Sequence, residues 1–232
     1  MISGNLLGQT GKTSYEITVH SFFNGRPLQR DSLYLNEWGE ALHWNQCRWY
    51  FSRIRGVKTN GDTVLLSNQH FLLDGLTGPA TVQFTGPSPV GIKSLVIQLG
   101  VDPAVNRQGI QTGDLDPAKG MFWTWNTGYV HVKLSGTSAA AATAGERFNY
   151  DIGGYQPPHV TQRQLVFPFV ADTHQQRTQI SLQAEWSKVF DAQHAIRIGQ
   201  YAVCHQPGAL AVLLADNAAQ VFGLFVPKSP QP

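Results

Sequence analysis

Short runs of alternating apolar and polar residues, each cut off by glycine or proline, set the strongest limit on what this chain can become. In "YEITVHSFFNGRPL", Ile17 and Val19 alternate with polar neighbours before "NGRP" turns the chain. Residues two apart on an extended strand project to one face, so such a run buries one side and leaves the other to solvent. "LHWNQCRWYFSRIRGVKTNGDTVLLSNQHFLLDG" reads as two or three further strands, with "NGD" as a hairpin turn. "PATVQFTGP", "GIKSLVIQLGVDP", "RFNYDIGGY", "RQLVFPFVA" and "TQISLQAEW" repeat the signal. The 23 glycines and 13 prolines are spread along 232 residues, and neither a repeat nor a linker separates two bodies. The expectation is all-β: a single β-sandwich-like domain, mostly antiparallel, with long loops.

Few segments depart from this. "GALAVLLADNAAQVFGLFVP" sets Leu210, Leu213, Leu214 and Val221 at helical spacing, which predicts a short helix near the C-terminus. "WSKVFD" reads as one helical turn, and "TSAAAATAG", without charges or caps, as a loop. "VDPAVNRQGIQTGDLDPAKG" is a long polar connection, of a length that is usually functional or an ordered Ω-like loop.

Composition narrows the function classes. A hydrophobic share of 42% against 14% charged residues supports a sizeable core, and a net charge of +2 without a basic run argues against nucleic acid or an anionic membrane. No apolar run reaches the roughly 18 residues of a membrane span. The opening "MISGNLLGQTGKTSY" lacks the regions of a signal peptide, so residues 1–14 are expected to be a disordered or leader-adjacent segment ahead of a β domain over 15–228. Richness in Asn, Gln, Thr and Gly points to an exported protein. Cys47 and Cys204 leave two readings open, one long-range disulfide or two buried thiols.

Histidines stand at 20, 43, 70, 131, 159, 174, 194 and 205, and none makes HxH or HExxH. His20, His43, His70 and His131 fall on expected strands, where each alone is more readily hydrogen-bonded or at the surface. Imidazoles meeting across a sandwich nonetheless suit copper, zinc, iron or nickel. Asp114 and Asp116 in "TGDLDPAKG" fit turns that bond their own backbone better than a catalytic pair. "GNLLGQTGKT" lacks the spacing of a phosphate loop, and no GxSxG elbow is present. A non-enzymatic protein is expected. "GMFWTWNTGYVHVKLSG" puts Trp123 and Trp125 on one side of a strand, and Tyr129 with His131 on one face of the next. Ordinary core, a platform for sugar rings, and redox chemistry on the indole are all open to it.

Residues 94–136, "SLVIQLGVDPAVNRQGIQTGDLDPAKGMFWTWNTGYVHVKLSG", resemble the hallmark of the MbnP-like family: a "LGVD…N" strand end, a "G…LDP" loop, then "GM.W.WN.GY…K..G". "TVHSFFNGRPL", "WYFSRIRGVKTNGDTVLL…HFLLD", "FNYDIGGY" and "LLADNAAQVF" extend the resemblance over nearly the whole chain. It implies a sandwich-like fold holding one copper ion in the periplasm or outside the cell. In characterised members histidines bind copper together with a kynurenine, made from tryptophan by a dihaem cytochrome c peroxidase-like partner. Carried over by position, His20 follows the first strand where many members have histidine, and Asp151 stands where members often have histidine. Asp151 or His131 would complete the metal set. Trp123 or Trp125, with Trp44 behind them, would be the oxidised residue and the apolar wall around the ion. The Trp-x-His arrangement of methanotroph members does not occur. The expected function is copper capture or handling. The alternative is a binding module that offers the Trp123/Trp125 face to a glycan or protein partner, without metal.

Overall fold

The computed structural model describes residues 12–125, 128–170 and 177–227. In chain order its strands begin with β1 (Thr13–Phe23), β2 (Arg26–Pro27), β3 (Tyr34–Leu35), β4 (Ala41–Lys58), β5 (Thr63–Asp74), β6 (Ala80–Gly86) and β7 (Ile92–Leu99). They continue with β8 (Phe122–Trp123), β9 (Gly128–Thr137), β10 (Arg147–Gly153), β11 (Arg163–Pro168), β12 (Arg177–Glu185), β13 (Val203–Cys204) and β14 (Phe222–Leu224). Two α-helices interrupt them, α1 (Pro103–Gln108) and α2 (Ala209–Gln220).

The alternation read at Ile17 and Val19 becomes β1, whose Tyr15, Ile17 and Val19 are fully buried. β1 pairs with β12 in parallel and with β2 and β6 antiparallel, and β14 extends β12, making a five-stranded sheet. The larger, nine-stranded sheet runs β11-β7-β4-β9-β10-β13, with β3 and β5 also on β4 and β8 on β9. Among the described residues, only the β10–β13 pairing in this sheet is parallel. The fold is thus an all-β sandwich, mostly antiparallel. The two inner faces share one apolar core: Tyr15 stacks on Phe84 at 4.9 Å, Phe71 of the larger sheet approaches Phe84 at 6.0 Å, and Trp49 meets Trp186 at 5.2 Å.

α2 closes this core with Ala211, Leu214, Ala215 and Ala218, while Leu210 and Leu213 pack partly against it. The helix ends at Gln220, and the tail that followed the helical pattern returns as β14 on β12. "WSKVFD" forms a 3-10 turn over Trp186–Val189, as expected. β1 already begins at Thr13, ahead of the expected start at 15, because Ser14 is in register with Arg177. Cys47 and Cys204 are free, buried thiols. Burial raises the Cys204 thiol to about 11 and lifts Cys47 well above its ordinary value. His174 and most of the opening segment lie outside the described residues.

Candidate functional site

The long polar connection is ordered, and it lies on the outer face of the larger sheet. α1 and two 3-10 turns (Gly113–Leu115, Pro117–Lys119) fold it over a second, smaller core of Tyr50, Val101, Leu115, Met121, Trp123, Tyr129 and Val130. Hydrogen bonds pin it. Tyr50 Oη donates to Asp114 O at 2.8 Å, and Tyr129 Oη donates to Leu115 O at 3.0 Å while accepting from Gln111 N at 3.1 Å. The fully buried Asn106 accepts from Tyr129 N at 2.9 Å and donates to the carbonyls of Val101 and Asp102. Asp116 caps its turn through Ala118 N, whereas Asp114 accepts from Leu72 N of β5 and from Lys119 Nζ, tying the loop to the sheet and not to its own backbone. Burial raises the Tyr50 and Tyr129 phenols, which keeps them neutral donors.

At the end of this loop stand the two tryptophans. Their rings lie 5.7 Å apart and tilted by 39°, with Trp123 only 6% exposed and Trp125 63%. The shared side expected from the alternation is present, but one ring is wall and the other surface. Two glycines of "DIGGY" make room here, Gly153 for the Trp123 ring and Gly154 for the His159 backbone. A Cβ on Gly153 would lie 2.8 Å from the Trp123 ring, and one on Gly154 would lie 2.3 Å from His159 O. Gly154 also takes φ +139°, which side-chain-bearing residues rarely adopt. The outcome is a cavity of about 250 Å³ between Trp123, Tyr129, Tyr155, Pro157, His159 and Pro207.

The expected metal ligands are distributed as follows. His20 stands on β1 of the smaller sheet, where its ring stacks on Phe225 at 4.2 Å and borders a separate cavity with Arg30 and Asp31. His131 is fully buried on β9. Thr161 Oγ1 donates to Gly154 O, so it accepts from His131 Nδ1–H at 2.8 Å; Nε2 then faces the Gln162 amide at 3.5 Å. Burial, with Arg163 nearby, lowers this imidazole to about 3, so it is neutral and engaged at both nitrogens. Asp151 belongs to a row of charges in register across four strands: Asp74, Arg48, Lys133 and Asp151. Lys133 Nζ holds Asp151 Oδ1 at 2.7 Å. Asp151 and His131 therefore share neighbouring strands, while His20 is on the other sheet. Among the described residues no group of three or more His, Cys, Asp or Glu side chains is arranged to hold a metal ion.

A family model described as MbnP matches residues 12–206 of this chain. The chain belongs to the MbnP family. It is also similar to the solved structure of MbnP from Methylosinus trichosporium, at 14% identity over 87% of each chain with a TM-score of 0.57, a likeness of fold. No curated protein matches it. Among the described residues of this MbnP-family chain, no helix is long and apolar enough to cross a membrane.

Three groups near the site escaped the sequence reading. His205 follows the two-residue β13, and its Nδ1 lies 3.9 Å from Asp151 Oδ2 and 3.4 Å from Asn149 Nδ2. His159 and Tyr155 line the Trp123 cavity from the loop after β10. Their one signal was position just after "DIGG", since "YQPPH" has no strand or helix period of its own. His205 had none: a strand of two residues leaves no periodicity to read.

Proposed function

We propose that this member of the MbnP family is a non-enzymatic copper-handling protein of the periplasm or cell exterior, with Asp151 and His205 as its resident copper-facing pair. The observation that supports this is the gap of 3.9 Å between Asp151 Oδ2 and His205 Nδ1. That is too long for a hydrogen bond. It is a separation that two bonds of about 2.0–2.2 Å to one ion can span. Asn149 Nδ2 donates to His205 Nδ1 at 3.4 Å, so this nitrogen carries the lone pair that a metal would take in place of that long bond, and Lys133 leaves Asp151 Oδ2 free by binding Oδ1. A carboxylate beside an imidazole favours divalent over monovalent copper. The pair fits copper as two ligands and not as a complete set. His131, with both nitrogens engaged, and His20, on the other sheet, do not join it.

Oxidation of a tryptophan to kynurenine by a dihaem cytochrome c peroxidase-like partner falls, on this reading, on Trp125. It is the ring a partner surface can meet, with Trp123 directly behind it. Copper and intact mass, measured on protein from its native host after dialysis, test both parts. The expected results are bound copper that falls at least tenfold in Asp151→Asn and His205→Ala, and a mass rise of about 4 Da from the covalent change. Copper retained unchanged in both variants would refute the assignment of the pair, and an unshifted mass the oxidation.

A further inference from the structure

The copper reading leaves the cavity behind Trp123 without a role, yet that cavity is built with care. Gly153 and Gly154 exist there as the residues whose missing Cβ atoms admit the Trp123 ring and the His159 backbone. Its flat surfaces come from the Trp123 indole, Tyr129, and the rings of Pro157 and Pro207, and its lining as a whole is about as polar as apolar. Its polar lining residues are Tyr155, Gln156 and His159. No carboxylate, ammonium or guanidinium lines it among the described residues. A charged ligand would lose its hydration there without gaining a counter-ion, which is costly. A purely apolar ligand would leave the phenol and amide facing it unpaired.

We infer that the cavity is a binding site for one neutral sugar ring, a pyranose seated with its C–H face on Trp123 and its hydroxyl rim toward Tyr155, Gln156 and His159. A pyranose has both surfaces the walls require, and about 250 Å³ holds a single ring rather than an extended peptide. Trp125, 63% exposed and 5.7 Å from Trp123, prolongs the platform at the mouth for a second ring of the same glycan. The aromatic rings supply large contact area at low entropic cost. The inference does not rest on copper: the cavity's residues are not the Asp151–His205 pair.

The test is a titration of the full chain with D-glucose, D-galactose and N-acetyl-D-glucosamine, following the tryptophan indole N–H signals by NMR. A saturable shift of the Trp123 signal with at least one sugar is expected, in the millimolar range and unchanged by EDTA. Tyr155→Ala and Gln156→Ala lie on the exposed loop and should each weaken that sugar at least tenfold, about 1.4 kcal/mol. Trp123→Ala also loses core packing, so these two variants carry the test. No saturable shift with any of the three sugars overturns the inference. So does an undiminished response in Tyr155→Ala, or a response to a decaproline peptide, titrated in parallel, with none to the sugars. A response abolished by EDTA would transfer the effect to metal and overturn it too. Failure of the copper proposal would show in the dialysis measurement and leave these shifts untouched.

Discussion

The two cores of this molecule are held by different physics. Between the sheets, Trp44, Trp49 and Phe51 are wholly buried, and the indole N–H groups of Trp44 and Trp49 find no acceptor among the described residues. These rings contribute volume and apolar area, roughly 25 cal/mol for each Å² removed from water. On the outer face of the larger sheet, the smaller core under the 100–121 loop is tied by polar tips: Tyr50 and Tyr129 hydroxyls, the Asn106 amide, and the His131 imidazole behind them. The scaffold is packed and the site-bearing face is bonded. The first should resist changes of pH and fail when volume is lost. The second should tolerate small losses of volume and fail when a hydrogen bond or a protonation state changes.

That contrast can be broken in order of expected effect. Trp49→Ala should cost about 3–5 kcal/mol, the range for a large aromatic removed from a core, read as a lower denaturant midpoint with little change with pH. Next comes acid. His131 sits near 3 in the folded chain because burial disfavours its charged form, against an ordinary value of about 6.5. Its folded value is depressed, so below about pH 6.5 the unfolded chain binds a proton that the native one refuses. Stability should therefore fall as pH drops from about 6.5 toward 3, by up to about 1.4 kcal/mol per unit. The part above pH 5 precedes ordinary carboxylate protonation. Denaturant melts at stepped pH should show that slope flattened in His131→Gln; an unchanged slope would place the acid sensitivity elsewhere.

Smaller steps sharpen the comparison. Asn106→Ala strands the buried Tyr129 amide, while the Val101 carbonyl keeps the Gln162 amide and the Asp102 carbonyl keeps Asn106 N–H, and should cost about 2 kcal/mol with faster amide exchange across the 100–121 loop. Tyr129→Phe keeps the ring and removes only its hydroxyl bonds, so about 1 kcal/mol is expected. A cost above that of Trp49→Ala would erase the distinction between the cores. Trp125→Ala should change stability by less than about 0.5 kcal/mol, because the ring is mostly exposed. A large loss there would mean that Trp125 belongs to the packing and not to a binding surface.

What the chain declared on its own was its class and its elements. Period-two alternation around Ile17 and Val19, the "NGD" hairpin, and helical spacing at Leu214 and Val221 are local signals, and local backbone geometry answers to them. The quoted motifs of residues 94–136 carried the family, since side chains over a long span constrain one another. The Asp116 turn was legible for the same reason, its carboxylate capping Ala118 N two residues on, but Asp114 bonds Leu72 N of the distant β5, which no local signal announced.

Which side chains meet was decided only in three dimensions. His20 and His131 look alike in sequence, both on strands, but one lies on the smaller sheet and the other is locked beneath Thr161 and Gln162. Asp151 becomes the neighbour of Lys133 and His205 through pairing of β10 with β9 and β13, partners that lie 18 residues away and farther. The alternation of Trp123 and Trp125 announced a shared side but not which ring would be buried. That was settled by Gly153, whose missing side chain opens space for Trp123 against the end of β10. Periodicity reports the side toward which a residue points. Register and close packing, which join distant segments, determine what it finds there.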